Sequence, residues 1–204
     1  MAVTCPVDLD TVRLRNEIQS IYARVASAPD GEFHFHRGPE YAERFLRYDP
    51  LALARIPPFA VESFAGVGNP LRMEPLAAGA TVVDIGCGSG TDLLLAANAV
   101  GPRGRAIGID MTDAMLGKAH AAAAEAGLAS VDLRRGDTLD LPIESASADV
   151  VMSNGVLNLA PDKRRAFSEV LRVLRPGGRF LYADIVVAAE LPESVRRDID
   201  LWSG

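Results

Sequence analysis

The densest chemistry in this chain is the run Asp84-Ile85-Gly86-Cys87-Gly88-Ser89-Gly90, which closes one apolar stretch and opens another. Alternating glycines let backbone N–H groups approach a ligand where any Cβ would block it. A helix N-terminus behind them favours negative charge, such as a carboxylate or phosphate. Alone, the run also fits a merely tight turn. Further on, Asp110 in Gly108-Ile109-Asp110-Met111 could accept two hydrogen bonds from a ribose diol, the geometry dinucleotide folds use, or cap the next helix. In Arg135-Gly136-Asp137-Thr138, the Asp137 carboxylate could accept from the exocyclic amine of adenine, with the Thr138 N–H facing a ring nitrogen; the plainer alternative is a polar turn. Ser153 and Asn154 leave an apolar run at its carboxyl end, where ligands of open parallel sheets collect.

A second group lies upstream, in Gly31-Glu32-Phe33-His34-Phe35-His36, an alternating run that could be extended. A metal reading lacks a third ligand, so no metal is expected. His34 and His36 remain candidates for substrate binding or proton transfer beside a lid, against a structural or solvent-facing role. Tyr41 and Tyr48 read as packing residues of a surface helix, and Trp202 as core or edge cover.

Positioning these residues requires strands that end where they begin. Buried-strand patterns occupy 81–85, 105–109, 131–134, 149–152 and 179–185, and helical patterns 91–100, 112–126 and 162–174 separate most of them. Thr112 is placed to cap the helix that follows it, Gly127 to stop that helix, and Pro176-Gly177-Gly178 to stop the next. Strands alternating with helices of this length imply βαβ units and a mostly parallel sheet covered on both faces, an α/β fold. Before residue 80 the texture differs. Leu14, Ile18, Ile21, Tyr22 and Val25 share one helix face, 39–48 reads as a second helix, and 58–64 as a short third. The division expected is an N-terminal helical lid or substrate segment over 1–75 and a cofactor-binding core over 76–204.

Composition narrows the partners. With 49% hydrophobic and 24% charged residues the chain has the apolar content of a folded domain. No stretch approaches the roughly 18 apolar residues of a bilayer helix, and no signal peptide is visible, so the expected compartment is the cytoplasm, with no membrane partner. Twenty-one Lys and Arg against 27 Asp and Glu leave a net charge of −6, which disfavours nucleic acid and favours a small-molecule substrate. Two cysteines, Cys5 and Cys87, make neither a disulfide framework nor a CxxC metal spacing.

In order and spacing, DIGCGSG, GIDMT, RRGDTLDLP and RVLRPGG resemble the motifs of class I S-adenosylmethionine-dependent methyltransferases, over residues from about 75 to 187. Asp84 before the glycine loop, and the Gly-Asp…Leu-Pro element followed by a strand, separate this pattern from nicotinamide-binding Rossmann domains. The stretches 101–116 and 153–187, with Gly66-Val67-Gly68-Asn69-Pro70 upstream, resemble the arsenite methyltransferases more closely. That family binds As(III) through cysteine thiolates. Where it places two of them, this chain has Val67 and Gly155.

The resemblance implies S-adenosylmethionine as cofactor and S-adenosylhomocysteine as product. It implies that Gly86, Cys87, Gly88 and Gly90 surround the methionine part, that Asp84 approaches the amino group, and that Asp110 holds the ribose hydroxyls. Met111 would pack on adenine with Asp137 and Thr138 at its edge. Ser153 and Asn154 would line the floor beside the methyl group, and Tyr22 would reach the cofactor from the N-terminal helix. The expected activity is methyl transfer to a small molecule by in-line displacement; the alternatives are an arsenite methyltransferase with a reduced thiol set and a non-catalytic cofactor-binding domain. The family's sheet continues with two more strands, for which nothing remains after a helix over 193–202. The expectation is a truncated domain, or a fragment of a longer chain, whose fifth strand is an edge needing cover, as a monomer or as a homodimer through that edge.

Overall fold

In the computed structural model, residues 10–186 and Ala188 are described. Four helices come first: α1 (Thr11–Ser27), α2 (Gly38–Arg44), α3 (Pro50–Leu53) and α4 (Pro58–Glu62). Strands and helices then alternate as β1 (Thr81–Ile85), α5 (Thr91–Val100), β2 (Arg105–Asp110), α6 (Asp113–Glu125), β3 (Val131–Arg135), β4 (Ala148–Asn154), α7 (Lys163–Val173) and β5 (Leu174–Ala183). The five strands form one parallel sheet in the order β3-β2-β1-β4-β5. The order reverses between β1 and β4, which opens a crevice at their carboxyl ends.

Strand alternation divides the core. Val82, Val150 and Met152 pack against Ala96 and Val100 of α5 on one face. Val83, Ile107, Ile109 and Val151 pack against Val170 and Val173 of α7 on the other. Residues of the upstream segment, among them Tyr48, Leu53, Ile56 and Phe64, share a core with Leu94, Leu95, Ala122 and Ala123 of α5 and α6.

Several local expectations are corrected. The Gly31–His36 run is not a strand; it folds into turns with Phe35 stacked on Tyr22 of α1, ring centroids 5.9 Å apart. The segment read as one helix over 39–48 stops at Arg44, because Asp49-Pro50 starts a new turn whose first N–H groups Asp49 caps. Thr112 makes no side-chain cap to α6; the Asp110 carboxylate instead takes the Thr112 N–H at 2.8 Å. β5 starts at Leu174, five residues earlier than the apolar pattern implies, and Arg175–Gly178 loops out between the Ala148–Leu174 and Val150–Arg179 pairs. The expected helix over 193–202, Trp202 and Cys5 lie outside the described residues.

Candidate functional site

The carboxyl ends of β1, β2 and β4, the turn after β3 and the inner face of α1 enclose one cleft. β1 and its loop supply Asp84, Gly86, Cys87 and Gly88; β2 supplies Asp110 and Met111; the turn after β3 supplies Asp137 and Thr138; Asn154 closes the far side. Leu14, Ile18 and Tyr22 of α1 lie across it, anchored where Gln19 Nε2 donates to the Met111 carbonyl at 2.9 Å. Ten of the twelve sequence-predicted binding residues thus meet in one place. Gly90 and Ser153 are behind the wall: Gly90 begins α5, and Ser153 is turned away because its neighbour Asn154 takes the cleft side of the strand.

The loop geometry follows from sterics. Gly86 has φ +66°, and a Cβ there would sit 2.4 Å from Val156 Cγ2, so a side chain would close the cleft from within. Asp110 Oδ2 accepts from the Gly88 N–H at 2.9 Å while Oδ1 accepts from Thr112, which ties the glycine loop to the start of α6. The Met111 N–H and the Thr112 hydroxyl also act on this carboxylate, so a ligand hydroxyl there would share oxygens that already have protein donors.

Electrostatically the cleft is acidic. Burial pushes the Asp84 carboxyl well above the usual carboxylate range, with the charges of Asp92 and Asp110 adding to the shift. Its Oδ2 is buried without a hydrogen-bond partner. Burial also raises Asp110, against the lowering effect of its backbone donors, and raises the Cys87 thiol. Tyr22 is pushed up to about 12 by burial and then by the charge of Asp110. Among the described residues, no group of three or more His, Cys, Asp or Glu could hold a metal ion.

Sequence reasoning placed the acid–base candidates elsewhere, and the structure moves them. His34 is exposed and lies edge-on to Phe35, with centroids 5.3 Å apart; His36 packs on Tyr41 and Phe45. Neither histidine lines the cleft. Tyr48, read as a surface-helix residue, is 4% exposed, and its hydroxyl lies 2.6 Å from Asp92 Oδ1. Asp92 itself was missed. Its signal was present: an acid in the first turn of a helix that is apolar over the next five residues must be buried with it. Arg15 of α1 also lines the cleft and pairs with Asp137, a partnership across 122 residues that no local pattern announces.

Asn154 is a joint as well as a wall. Its Oδ1 accepts from the N–H groups of Val67 and Gly68 at 2.8 and 3.0 Å, and its Nδ2 donates to the Gly68 carbonyl and to Asp92 Oδ2. This seats Val67 against Gly155, where a Cβ would meet Val67 Cγ1 at 3.1 Å and where φ is +71°.

The chain matches the methyltransferase domain family over residues 76–203. It is 45% identical over 139 residues to the arsenite methyltransferase of Halobacterium salinarum, covering 68% of this chain and 36% of that one. It is 41% identical over 101 residues to the nocamycin O-methyltransferase of Saccharothrix syringae, covering 50% and 36%. Among solved structures it resembles the arsenic(III) S-adenosylmethionine methyltransferase of Chlamydomonas reinhardtii, with a TM-score of 0.63 and 39% identity over 71% of this chain and 51% of that one. The match therefore spans 36% of the length of both curated relatives. Among the described residues, no helix is long and apolar enough to cross a membrane.

Proposed function

The chain belongs to the S-adenosylmethionine-dependent methyltransferase domain family, and we propose that it transfers a methyl group to a small-molecule acceptor by in-line displacement. The observation that carries this reading is the acidic, cation-poor cleft behind the glycine loop, with Asp84 Oδ2 buried and unpartnered. S-adenosylmethionine bears a sulfonium and an ammonium, which is the charge such a cleft lacks. When bound, it supplies an already activated methyl group.

The residues of the chain then have binding and orienting work. Asp84 would take the amino group, and Gly86, Cys87 and Gly88 would leave room for the methionine part, with Gly90 holding the loop's exit into α5. Asp110 would accept from the ribose hydroxyls. Met111 would pack on adenine, with Thr138 and Asp137 at the ring edge once Asp137 exchanges Arg15 for the ligand. Tyr22 and the apolar face of α1 would cover the cleft and exclude water. Asn154 would bound the methyl side, while Ser153 would act only by supporting it from behind. Orientation of an acceptor against the methyl group supplies rate without further chemistry, and a base is required only for an acceptor that carries a proton. The segment 1–75 is proposed as the lid and acceptor-selecting part, over a cofactor-binding core from 76.

A second reading takes As(III) as the acceptor. The identity to the Halobacterium salinarum enzyme favours it. Against it stand Val67 and Gly155, the positions where that family places thiolates, which here meet as an apolar contact. The remaining described thiol, Cys87, is buried. Calorimetric titration with S-adenosylmethionine and S-adenosylhomocysteine tests the cofactor assignment, and binding of neither overturns it. Product analysis with arsenite and excess thiol, beside amine, phenol, carbon-acid and thiol acceptors, separates the two acceptors. Methylated arsenic would establish the second reading, and methylation of an organic acceptor alone the first.

A further inference from the structure

At the cleft wall, where Asp92 and Asn154 line it, Tyr48, Asp92, Asn154 and the Gly68 carbonyl form a closed set of hydrogen bonds. The Tyr48 hydroxyl lies 2.6 Å from Asp92 Oδ1 and 3.2 Å from the Gly68 oxygen. Asn154 Nδ2 lies 2.9 Å from Asp92 Oδ2, 2.9 Å from the Gly68 oxygen and 3.2 Å from the Tyr48 oxygen. A hydroxyl has a single proton to donate and a carboxamide has two. Two proton arrangements therefore satisfy the same heavy atoms. With Asp92 ionised, Tyr48 donates to Oδ1, and Asn154 donates to Oδ2 and to Gly68. With a proton on Oδ1, the acid donates to the Tyr48 oxygen, Tyr48 donates onward to Gly68, and Asn154 keeps Oδ2. The network accommodates one extra proton with no atom displaced.

A second observation concerns what that proton answers to. Asp84 lines the same cleft, and its buried Oδ2 has no partner. Among the described residues, the ionisable groups around the two acids are Asp110 from β2, the Cys87 thiol from the loop and Tyr48 from the segment between α2 and α3, with Tyr22 of α1 beside Asp110. None is a cation. The cation that does line the cleft, Arg15, pairs with Asp137. Two buried carboxylates without a cation cannot both ionise at low cost, because each raises the energy of the other's charge.

We propose that Asp92 holds a proton while the cleft is free of a sulfonium and releases it when S-adenosylmethionine binds, so that the site distinguishes the sulfonium cofactor by charge from its thioether product, which keeps only the ammonium. This role rests on the cofactor assignment above. The balance is simple: the neutral Asp92 acid plus the cationic cofactor become carboxylate plus bound cation, with one proton passed to solvent. After the methyl group departs, the cofactor has lost its sulfonium charge, and Asp92 takes a proton back from solvent or from a protic acceptor. Burial raises both the Asp84 and the Asp92 carboxyl, for Asp92 against the lowering effect of the Tyr48 and Asn154 hydrogen bonds.

The test is a proton inventory on the 204-residue chain. Titration calorimetry in buffers of different ionisation enthalpy reads the protons released on binding. Release approaching one proton for S-adenosylmethionine and clearly less for S-adenosylhomocysteine is expected. S-adenosylmethionine affinity should then rise by up to about tenfold per pH unit while Asp92 is still protonated in the free protein. Asp92→Asn should abolish the release, and the infrared band of a protonated carboxyl in the ligand-free chain should disappear on binding. The wild-type comparison of the two ligands needs no variant to fold. Binding of S-adenosylmethionine with no proton release, or equal release by both ligands, overturns the proposal and leaves the cofactor assignment standing. Binding of neither ligand overturns both.

Discussion

Two sets of acidic side chains sit in opposite electrostatic settings in this molecule. Around the outer side of β2 and β3, Asp132 accepts from Arg134 and Arg105, and on α7 Glu169 accepts from Arg172. The guanidinium donors hold both carboxyls below their usual range. At the carboxyl ends of β1 and β2 and in the first turn of α5, Asp84 and Asp92 are buried and Asp110 is half-buried, with no arginine or lysine beside them among the described residues, and all three are raised. The first set is complete in itself. The second is complete only with a cation supplied from outside, and that difference marks the binding site more sharply than the shape of the cleft does.

Substitutions can break this contrast, and the largest effect is expected at Asp110. Asp110→Ala removes the acceptor of the Gly88 and Thr112 N–H groups and of the ribose hydroxyls, so S-adenosylmethionine binding should weaken by on the order of a hundredfold or more, read by calorimetry. Tyr48→Phe removes the hydroxyl that pairs with Asp92 and leaves that buried carboxyl one partner short. A loss of about 1–3 kcal/mol in chemical denaturation is expected. Asp84→Asn should act with the opposite sign on the ligand-free chain. A carboxyl raised in the folded state favours folding while protonated, and its contribution falls as pH climbs through the raised value. Removing that charge should therefore raise the unfolding free energy in urea near about pH 8 by on the order of 1 kcal/mol and change it little near about pH 4. The same variant should lose cofactor affinity, so stability and binding move apart.

The smallest effect is expected in the paired set. Asp132→Asn should cost less than about 1 kcal/mol, shrink further in salt, and leave cofactor binding unchanged. The stability contributed by Asp132 and Glu169 is present above the usual carboxylate range and is lost as pH falls through their lowered values. The two sets therefore tilt the pH profile in opposite directions. A denaturation series across pH on Asp84→Asn and Asp132→Asn would separate them.

Much of the frame was legible locally. β1 and α5 have the bounds their apolar patterns imply, because both are buried along nearly their whole length and nothing but their ends interrupts the pattern. The glycine loop, Asp110 and the Asp137-Thr138 turn lie where strand ends must put them, since a parallel sheet brings every strand's carboxyl end to one edge. The errors fall where neighbouring residues compete for one position, which spacing alone does not rank. Thr112 reads as a cap until Asp110 takes its N–H, and Ser153 reads as floor until the strand's alternation assigns that place to Asn154.

The amino-acid order by itself determined the βαβ frame, the acidic glycine loop and the family resemblance, because helix and strand periods, turn glycines and strand-end carboxylates are short-range properties. Only the tertiary structure decided which acids meet. Tyr48 reaches Asp92 across 44 residues and Asn154 reaches Asp92 across 62, while His34 and His36, the conspicuous pair in the sequence, remain outside the cleft. Desolvation is the physical reason. A carboxyl changes character when burial removes its water and packing decides which donors replace it, and neither is written in its neighbours along the chain.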